Sequence, residues 1–216
     1  MSWTENEILL NYTKHTPCND IFKAVCNEIG KKYAEKGYKY SRSRPKIKTE
    51  DERIKLEISF WSSGRNILGE YVNLEILPSF YSKTLKNNNK EGFLFGHVPL
   101  FYHKYTNDKT KIKVNQIYGD ILERTDKYSH ESIIIDNNNC NIYGVDENKF
   151  RKILNFIDTK IIIWFKKIQD EIGVIEFLEN ASETKKYDLR GDRGNTNFIE
   201  YMKLNFPKLN VEKLLK

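Results

Sequence analysis

Two glutamates, Glu57 and Glu75, are the residues of this chain whose placement could support chemistry. They lie in two runs of strict two-residue alternation within RIKLEISFWSSGRNILGEYVNLEI, residues 53 to 76. Ile54, Leu56, Ile58 and Phe60 alternate with Lys55, Glu57, Ser59 and Trp61, while Val72, Leu74 and Ile76 alternate with Tyr71, Asn73 and Glu75. Successive strand residues point to opposite faces, so each run has an apolar side and a mixed side. An antiparallel pairing in which position numbers sum to 132 sets Leu56 against Ile76, Ile58 against Leu74 and Phe60 against Val72. On the other face it sets Glu57 against Glu75, Ser59 against Asn73 and Trp61 against Tyr71. Like charges directly across a strand pair repel. Such carboxylates could divide their pKa values as a general acid and base, or hold a hard cation through oxygen. Arg53 and Lys55 offer a simpler resolution, a neutralised pair on a solvated face, and no DxD or ExK companion reinforces catalysis.

Exposed aromatic clusters mark contact surfaces, so Trp61 and Tyr71, with Asn73 on the same face, are the expected partner-binding residues unless the chain from 79 to 111 covers them. Arg42 and Arg44, with Lys46 and Lys48 after Tyr38 and Tyr40, add a basic turn able to grip a phosphate backbone or an acidic protein surface, or simply to stand in solvent. His97 and His103 are six residues apart, with His15 and His130 elsewhere, a spacing that matches no metal string. Gly191 and Gly194 in RGDRGNT lack the strand and lysine of a phosphate loop, and Arg190-Gly191-Asp192 reads as a charged turn. Cys18, Cys26 and Cys140 form no CxxC pair and are odd in number, which argues against a disulfide framework and a thiolate zinc site. Neither a metal nor a cofactor is implied.

The elements that must position these residues read as helix, sheet, helices. Thr16 and Pro17 offer a helix start, Ile21, Phe22, Val25, Cys26, Ile29 and Tyr33 recur at helical spacing, and Gly37 supplies the stop. Tyr38 and Tyr40 begin a strand, and the alternating hairpin follows the basic turn. Residues 79 to 111 are the least regular part, with KNNNK at 86 to 90 a solvated loop. KIKVNQIYG and SIIIDNNNCNIYG return to strand pattern, the second as a hairpin around its Asn-rich turn. From Asp146 the period is helical, with an apolar stripe from Phe150 to Ile168, then a short helix with Ile172, Ile175 and Leu178 inward. A charged connection near 183 to 196 leads to a last amphipathic segment at 198 to 206 and a basic tail helix.

The fold class is therefore α+β, an antiparallel twisted sheet on amphipathic helices, with residues 1–182 as the core domain and 183–216 as a linker and C-terminal helical lobe. At 216 residues the chain is long enough to bury a real core, with 13% aromatic residues offsetting a low hydrophobic fraction of 39%. Its net charge of +6 comes from 36 basic and 30 acidic residues spread along the chain, and the favour shown to Lys, Asn, Ile and Tyr is the bias expected of an AT-rich genome. The N-terminus has acidic residues where a signal peptide needs basic ones, and the longest apolar run, IIIWF, is too short to span a bilayer. The expected compartment is the cytoplasm.

An amphipathic helix ending in KGYKYSRSR, strands carrying KLEISFWSS and VNLEI, and a late helix leading into IIIWFKKIQDEIGVIEFLE resemble the bacterial domain-of-unknown-function 4304 family over residues 19 to 180. The resemblance implies a sandwich of sheet and helices, and a role like that of small immunity proteins that neutralise bacterial toxins. The chain departs from that family in its basic charge, its 79–111 insertion and its C-terminal lobe. The leading functional expectation is a binding protein with a protein partner, in toxin immunity or another bacterial defence. A carboxylate- or metal-dependent enzyme is the alternative, and a nucleic-acid-binding accessory the third.

Overall fold

The computed structural model describes residues 3–62, 64, 66–96, 138–179, 189–191 and 196–215. Its architecture is α+β, an antiparallel sheet with helices before and after it. By internal contacts the described residues form two units, one holding 3–48, residues of 58–77 and 138–156, the other holding 49–57, 78–96 and those from 157 onward.

In the first unit, α1 (Glu7–Asn11) is capped by the Asn6 side chain, which accepts from the Ile8 and Leu9 amides. Helix α2 (Cys18–Glu35) buries Ile21, Phe22, Val25, Cys26, Ile29 and Tyr33, the stripe read from their spacing. It ends where Gly37 takes φ 86°, the left-handed conformation that costs a residue without Cβ least. The Tyr38 amide then donates to Tyr33 O and the Gly37 amide to Ala34 O, satisfying carbonyls the helix leaves open. Strand β1 (Lys39–Ser41) follows and pairs with β2 (Lys46–Glu50), Tyr40 opposite Ile47. A Cβ on Gly30 would collide with the Tyr40 ring, and the Tyr40 hydroxyl donates to Asn27 Oδ1 at 3.0 Å. The short hairpin is thus seated on α2.

Strand β2 extends the expected basic turn into KIKTE, where the single apolar residue Ile47 gave too little alternation to read as a strand. The sheet runs β1, β2, β3 (Ile54–Trp61), β4 (Asn73–Ser82), β5 (Phe93–Gly96), with β6 (Asn139–Asn141) also on β4. Phe60 N–H donates to Pro45 O at 2.9 Å and Asp51 N–H to Ile54 O at 3.0 Å, so β2 and β3 pair with numbers summing to 105 and Ile47 faces Ile58. Both isoleucines are fully buried.

Between β3 and β4 the register differs from expectation. Lys83 N–H donates to Arg53 O at 2.7 Å, a sum of 136 rather than 132. Lys55 Nζ lies 5.7 Å from the centre of the Tyr81 ring, as that register requires. Even-numbered residues are buried along both strands, so no one-residue bulge interrupts the pairing and the face assignment stands: Phe60 is buried and Trp61 exposed. A shift of four keeps apolar against apolar, and alternation alone cannot detect it. Residues 62–72 take up the difference with a bridge of their own, Ile67 and Tyr71 exchanging two backbone hydrogen bonds of 2.8 Å.

Strand β6 sets Leu74 opposite Cys140, and Asn141 Oδ1 accepts from the Val72 and Tyr143 amides. Helix α4 (Glu147–Phe156) buries Phe150, Ile153 and Phe156, and Tyr33 donates to Leu154 O at 3.3 Å. The single helix expected from Asp146 to Ile168 is instead interrupted by a π-helical stretch (Ile157–Ile162) before α5 (Ile163–Lys167). That stretch is rich in β-branched residues, which crowd an α-helical turn, and the wider winding buries Ile157, Ile161 and Ile162 together.

In the second unit, residues 79–96 of the expected irregular segment are ordered as the end of β4, helix α3 (Lys83–Asn87) and β5, with Phe80 opposite Phe95. Phe80, Phe95, Phe177, Phe198 and Tyr201 form a chain of ring contacts 4.6 to 6.1 Å between centres. Helix α6 (Glu171–Glu179) contributes Val174, Phe177 and Leu178 to the core, but Ile172, expected inward, is 73% exposed. Ile172 sits in the first turn, where Gly173 packs too close to the Lys167 backbone for a Cβ and takes the inward position. Helices α7 (Asn197–Asn205) and α8 (Val211–Leu214) close the chain, and Tyr201 donates to Ile168 O at 2.6 Å. The strand expected at KIKVNQIYG, the first arm of the second hairpin at 132–137, and His97, His103 and His130 lie outside the described residues.

Candidate functional site

The corrected register rearranges the residues proposed for chemistry. Glu57 falls in line with Ser79 instead of Glu75, so the facing carboxylate pair is lost. Lys55 Nζ is 2.6 Å from Glu57 Oε1, two residues along the same strand face, and the Glu57 side chain is 15% exposed. Glu75, half-buried, comes in line with Trp61 on one side and pairs with Asn139 on the other. Among the described residues no group of three or more His, Cys, Asp and Glu could hold a metal ion.

Trp61 also loses its expected neighbour. Tyr71 and Asn73 are buried, and the Tyr71 hydroxyl donates to Asn73 Oδ1 at 2.8 Å. Asn66 fixes the same connection, accepting from the Asn73 amide at 2.8 Å and donating to Ser62 Oγ at 2.8 Å. These polar groups satisfy one another inside the 62–72 connection, so Tyr71 and Asn73 hold the loop's shape and do not extend the surface at Trp61.

Trp61 itself is 55% exposed at the end of β3. Pro45 O accepts from the Phe60 amide, which ties the β1–β2 turn, with exposed Arg42 and Arg44, to the end of β3 that carries Trp61. Behind Arg44 on the same sheet face come Lys46 in line with Ser59, and Ser41 and Lys39 opposite Lys46 and Lys48. Ile47 points to the buried side and Tyr40 down onto Gly30. Arg42 and Arg44 thus stand in the turn bonded to the end of β3 that carries Trp61.

The charge of the β1–β2 hairpin is legible in the sequence. Residues 39–48, KYSRSRPKIK, carry five cations and no acid, which accounts for +5 of the net +6 and leaves +1 for all other residues. The positive charge is concentrated on one hairpin next to the exposed tryptophan.

Most other polar groups are internally matched. A cavity of 260 Å³ lined by Trp3, Thr4, Glu5, Glu28, Lys31, Lys32 and Glu35 holds the buried Glu28 carboxylate, which Lys31 Nζ meets at 2.7 Å. Cys26 and Cys140 are buried thiols whose pKa burial pushes well up, so neither is a ready nucleophile. No helix of the described residues is long and apolar enough to cross a membrane. No family model matches the chain, and no curated protein and no solved structure matches it.

Proposed function

We propose that this protein works by binding another macromolecule on the sheet face around Trp61 and Arg44, and not by carboxylate chemistry at Glu57 and Glu75. One observation carries the reading: a tryptophan left 55% exposed at the end of a strand. Trp and Arg are the residue types that dominate binding energy at macromolecular contacts, and burying a half-exposed indole on association is a favourable use of its apolar area. The loss of the Glu57–Glu75 pairing removes the geometry on which an acid–base or hard-cation reading rested. Toxin immunity, with a protein as partner, is the particular form of binding implied by the family resemblance and rests on that resemblance.

The test compares three forms of the purified protein as bait in a lysate, with and without nuclease, and in a cellular protection assay: wild type, W61A/R44A and E57Q/E75Q. Binding predicts that W61A/R44A loses both retention and protection while E57Q/E75Q keeps them. The reverse order, with loss of function in chelator, would establish the enzyme alternative.

A further inference from the structure

We infer that the cavity lined by Trp3, Thr4, Glu5 and the C-terminal half of α2 is a binding site for a primary alkylammonium group. It shares no residue with the face around Trp61, so it stands or falls apart from the function proposed above. Glu28, Lys31, Lys32 and Glu35 recur at helical spacing along one face of α2 and close a space of 260 Å³ against the N-terminal residues. A water's share of volume is about 30 Å³, so the space admits several waters or one small organic ion.

Three observations give the site its chemistry. First, the Glu28 side chain is only 5% exposed, and its ion pair with Lys31 engages Oε1, at 2.7 Å. Among the described residues no donor meets Oε2. A buried carboxylate oxygen without a hydrogen bond is costly, and a donor inside the cavity removes that cost. Second, the lining is acid-rich. Lys31 is taken by Glu28 and Lys32 lies 3.6 Å from Glu35, which leaves the exposed Glu5 as a carboxylate with no ion pair among the described residues. A monocation neutralises that surplus, at the end of α2 where the helix dipole favours positive charge. Third, the cavity includes an indole, Trp3, whose ring centre lies 4.6 Å from that of Phe150. An aromatic ring beside a carboxylate is the combination that holds an organic cation.

The state of Glu28 also selects among cations. A guanidinium fork grips a carboxylate through both oxygens, and Lys31 occupies one of them. An ammonium group needs a single oxygen and has further N–H donors to turn elsewhere. A hard metal ion would want six or more oxygen ligands, far more than this lining aims at one point. A free amine and the side chain of a partner's lysine present the same alkylammonium group.

The experiment is calorimetric titration of the full chain near pH 7 in a buffer free of amines, with folding of every variant checked by circular dichroism. The probes are n-butylamine, its neutral analogue n-butanol, methylguanidine and Nα-acetyl-lysine methylamide. n-Butylamine is expected to bind with a Kd of about 1 mM or tighter, within what five heavy atoms can supply, and n-butanol and methylguanidine at least about tenfold more weakly. E28Q should weaken n-butylamine by about 10- to 150-fold, as for a lost hydrogen bond to a charged group. W3A should weaken it by about 2- to 30-fold, with W3F recovering most of the loss. K31Q frees the second Glu28 oxygen and should narrow the gap between methylguanidine and n-butylamine. Tighter binding of the lysine derivative identifies a protein lysine as the source, and tighter binding of n-butylamine a free amine. n-Butanol matching n-butylamine, methylguanidine preferred by the wild type, or affinity unchanged in folded E28Q would each overturn the inference. So would the absence of heat from n-butylamine at about 10 mM, ten times the expected Kd, which would leave the cavity to water. If E28Q does not fold, the comparison of n-butylamine with n-butanol and methylguanidine on the wild type decides.

Discussion

The two ends of strand β3 carry similar residue types and use them in opposite ways. At the Ile54 end the charges are consumed locally. Lys55 pairs with Glu57 and lies over Tyr81, Arg53 donates to Gln169 O at 2.8 Å beneath the Phe206 ring, and Lys83 donates to Asp51 O at 2.8 Å. At the Trp61 end the aromatic ring is left to solvent and the adjacent hairpin holds five cations with no acid of its own. Charge matched inside the fold is a structural device, whereas a half-exposed indole at a strand end is the kind of residue that contact surfaces enrich. A sharp way to break the comparison is to truncate neighbouring residues on β3. Phe60→Ala should cost about 3 to 5 kcal/mol through a core cavity, whereas Trp61→Ala should fall within about 0.5 kcal/mol of wild type. Urea unfolding monitored by circular dichroism reads both, and an equal cost at the two positions would mean that Trp61 is packed.

The arginines give the same contrast at smaller amplitude. Arg53→Ala removes a charge-assisted bond to Gln169 O together with the stem packed under Phe206, and should destabilise by about 1.5 to 3 kcal/mol. Arg44→Ala, at an exposed turn, should change stability by less than about 0.5 kcal/mol while reducing binding. If Arg44→Ala unfolds the protein as readily as Arg53→Ala, its role is architectural and the division between the two ends is lost.

A third substitution tests whether the basic hairpin depends on the helix beneath it. Gly30 leaves room for the Tyr40 ring, and a methyl group there must displace it. Gly30→Ala is expected to cost about 1 to 3 kcal/mol by overpacking, and also to weaken binding at a temperature where the variant remains folded, because Tyr40 anchors β1. Normal affinity in a folded Gly30→Ala protein would show that the ribbon's position does not matter.

Much of the fold was legible because alternation and helical spacing are dictated by burial. The α2 stripe, its glycine stop, the even-numbered core face of β3 and β4 and the exposure of Trp61 all follow from period alone. What period cannot carry is an offset that preserves parity, so Glu57 and Glu75 were placed opposite each other when the 62–72 connection takes up four more positions of register than expected. The same ambiguity placed Tyr71 beside Trp61, although its hydroxyl is committed to Asn73 inside the connection. Strand β2 is hard to read because Ile47 is its one buried position, flanked by half-buried Lys46 and Lys48. Ile172 misled because the spacing of one short helix admits two inward stripes, and the one containing Gly173 permits the closer approach.

The smallest expected effect concerns the core, where the residues are inert by burial. Burial raises the pKa of Cys26 and Cys140 from the ordinary 9.0, and that of Tyr40 and Tyr201 from the ordinary 10.0. The folded state therefore holds these groups neutral after the unfolded chain has begun to lose their protons. A raised folded pKa contributes stability that is complete below the unfolded value and declines as pH rises past it. Melting temperature should accordingly be flat near neutrality and begin to fall above pH 9, with the onset moved toward the tyrosine range of 10 in C26A/C140A. In the native protein at neutral pH a thiol reagent should titrate Cys18 alone, and all three cysteines only after denaturation. Rapid native modification of Cys26 or Cys140 would mean that α2 opens readily from β6, and the firm seat assigned to the basic hairpin would then fail with it.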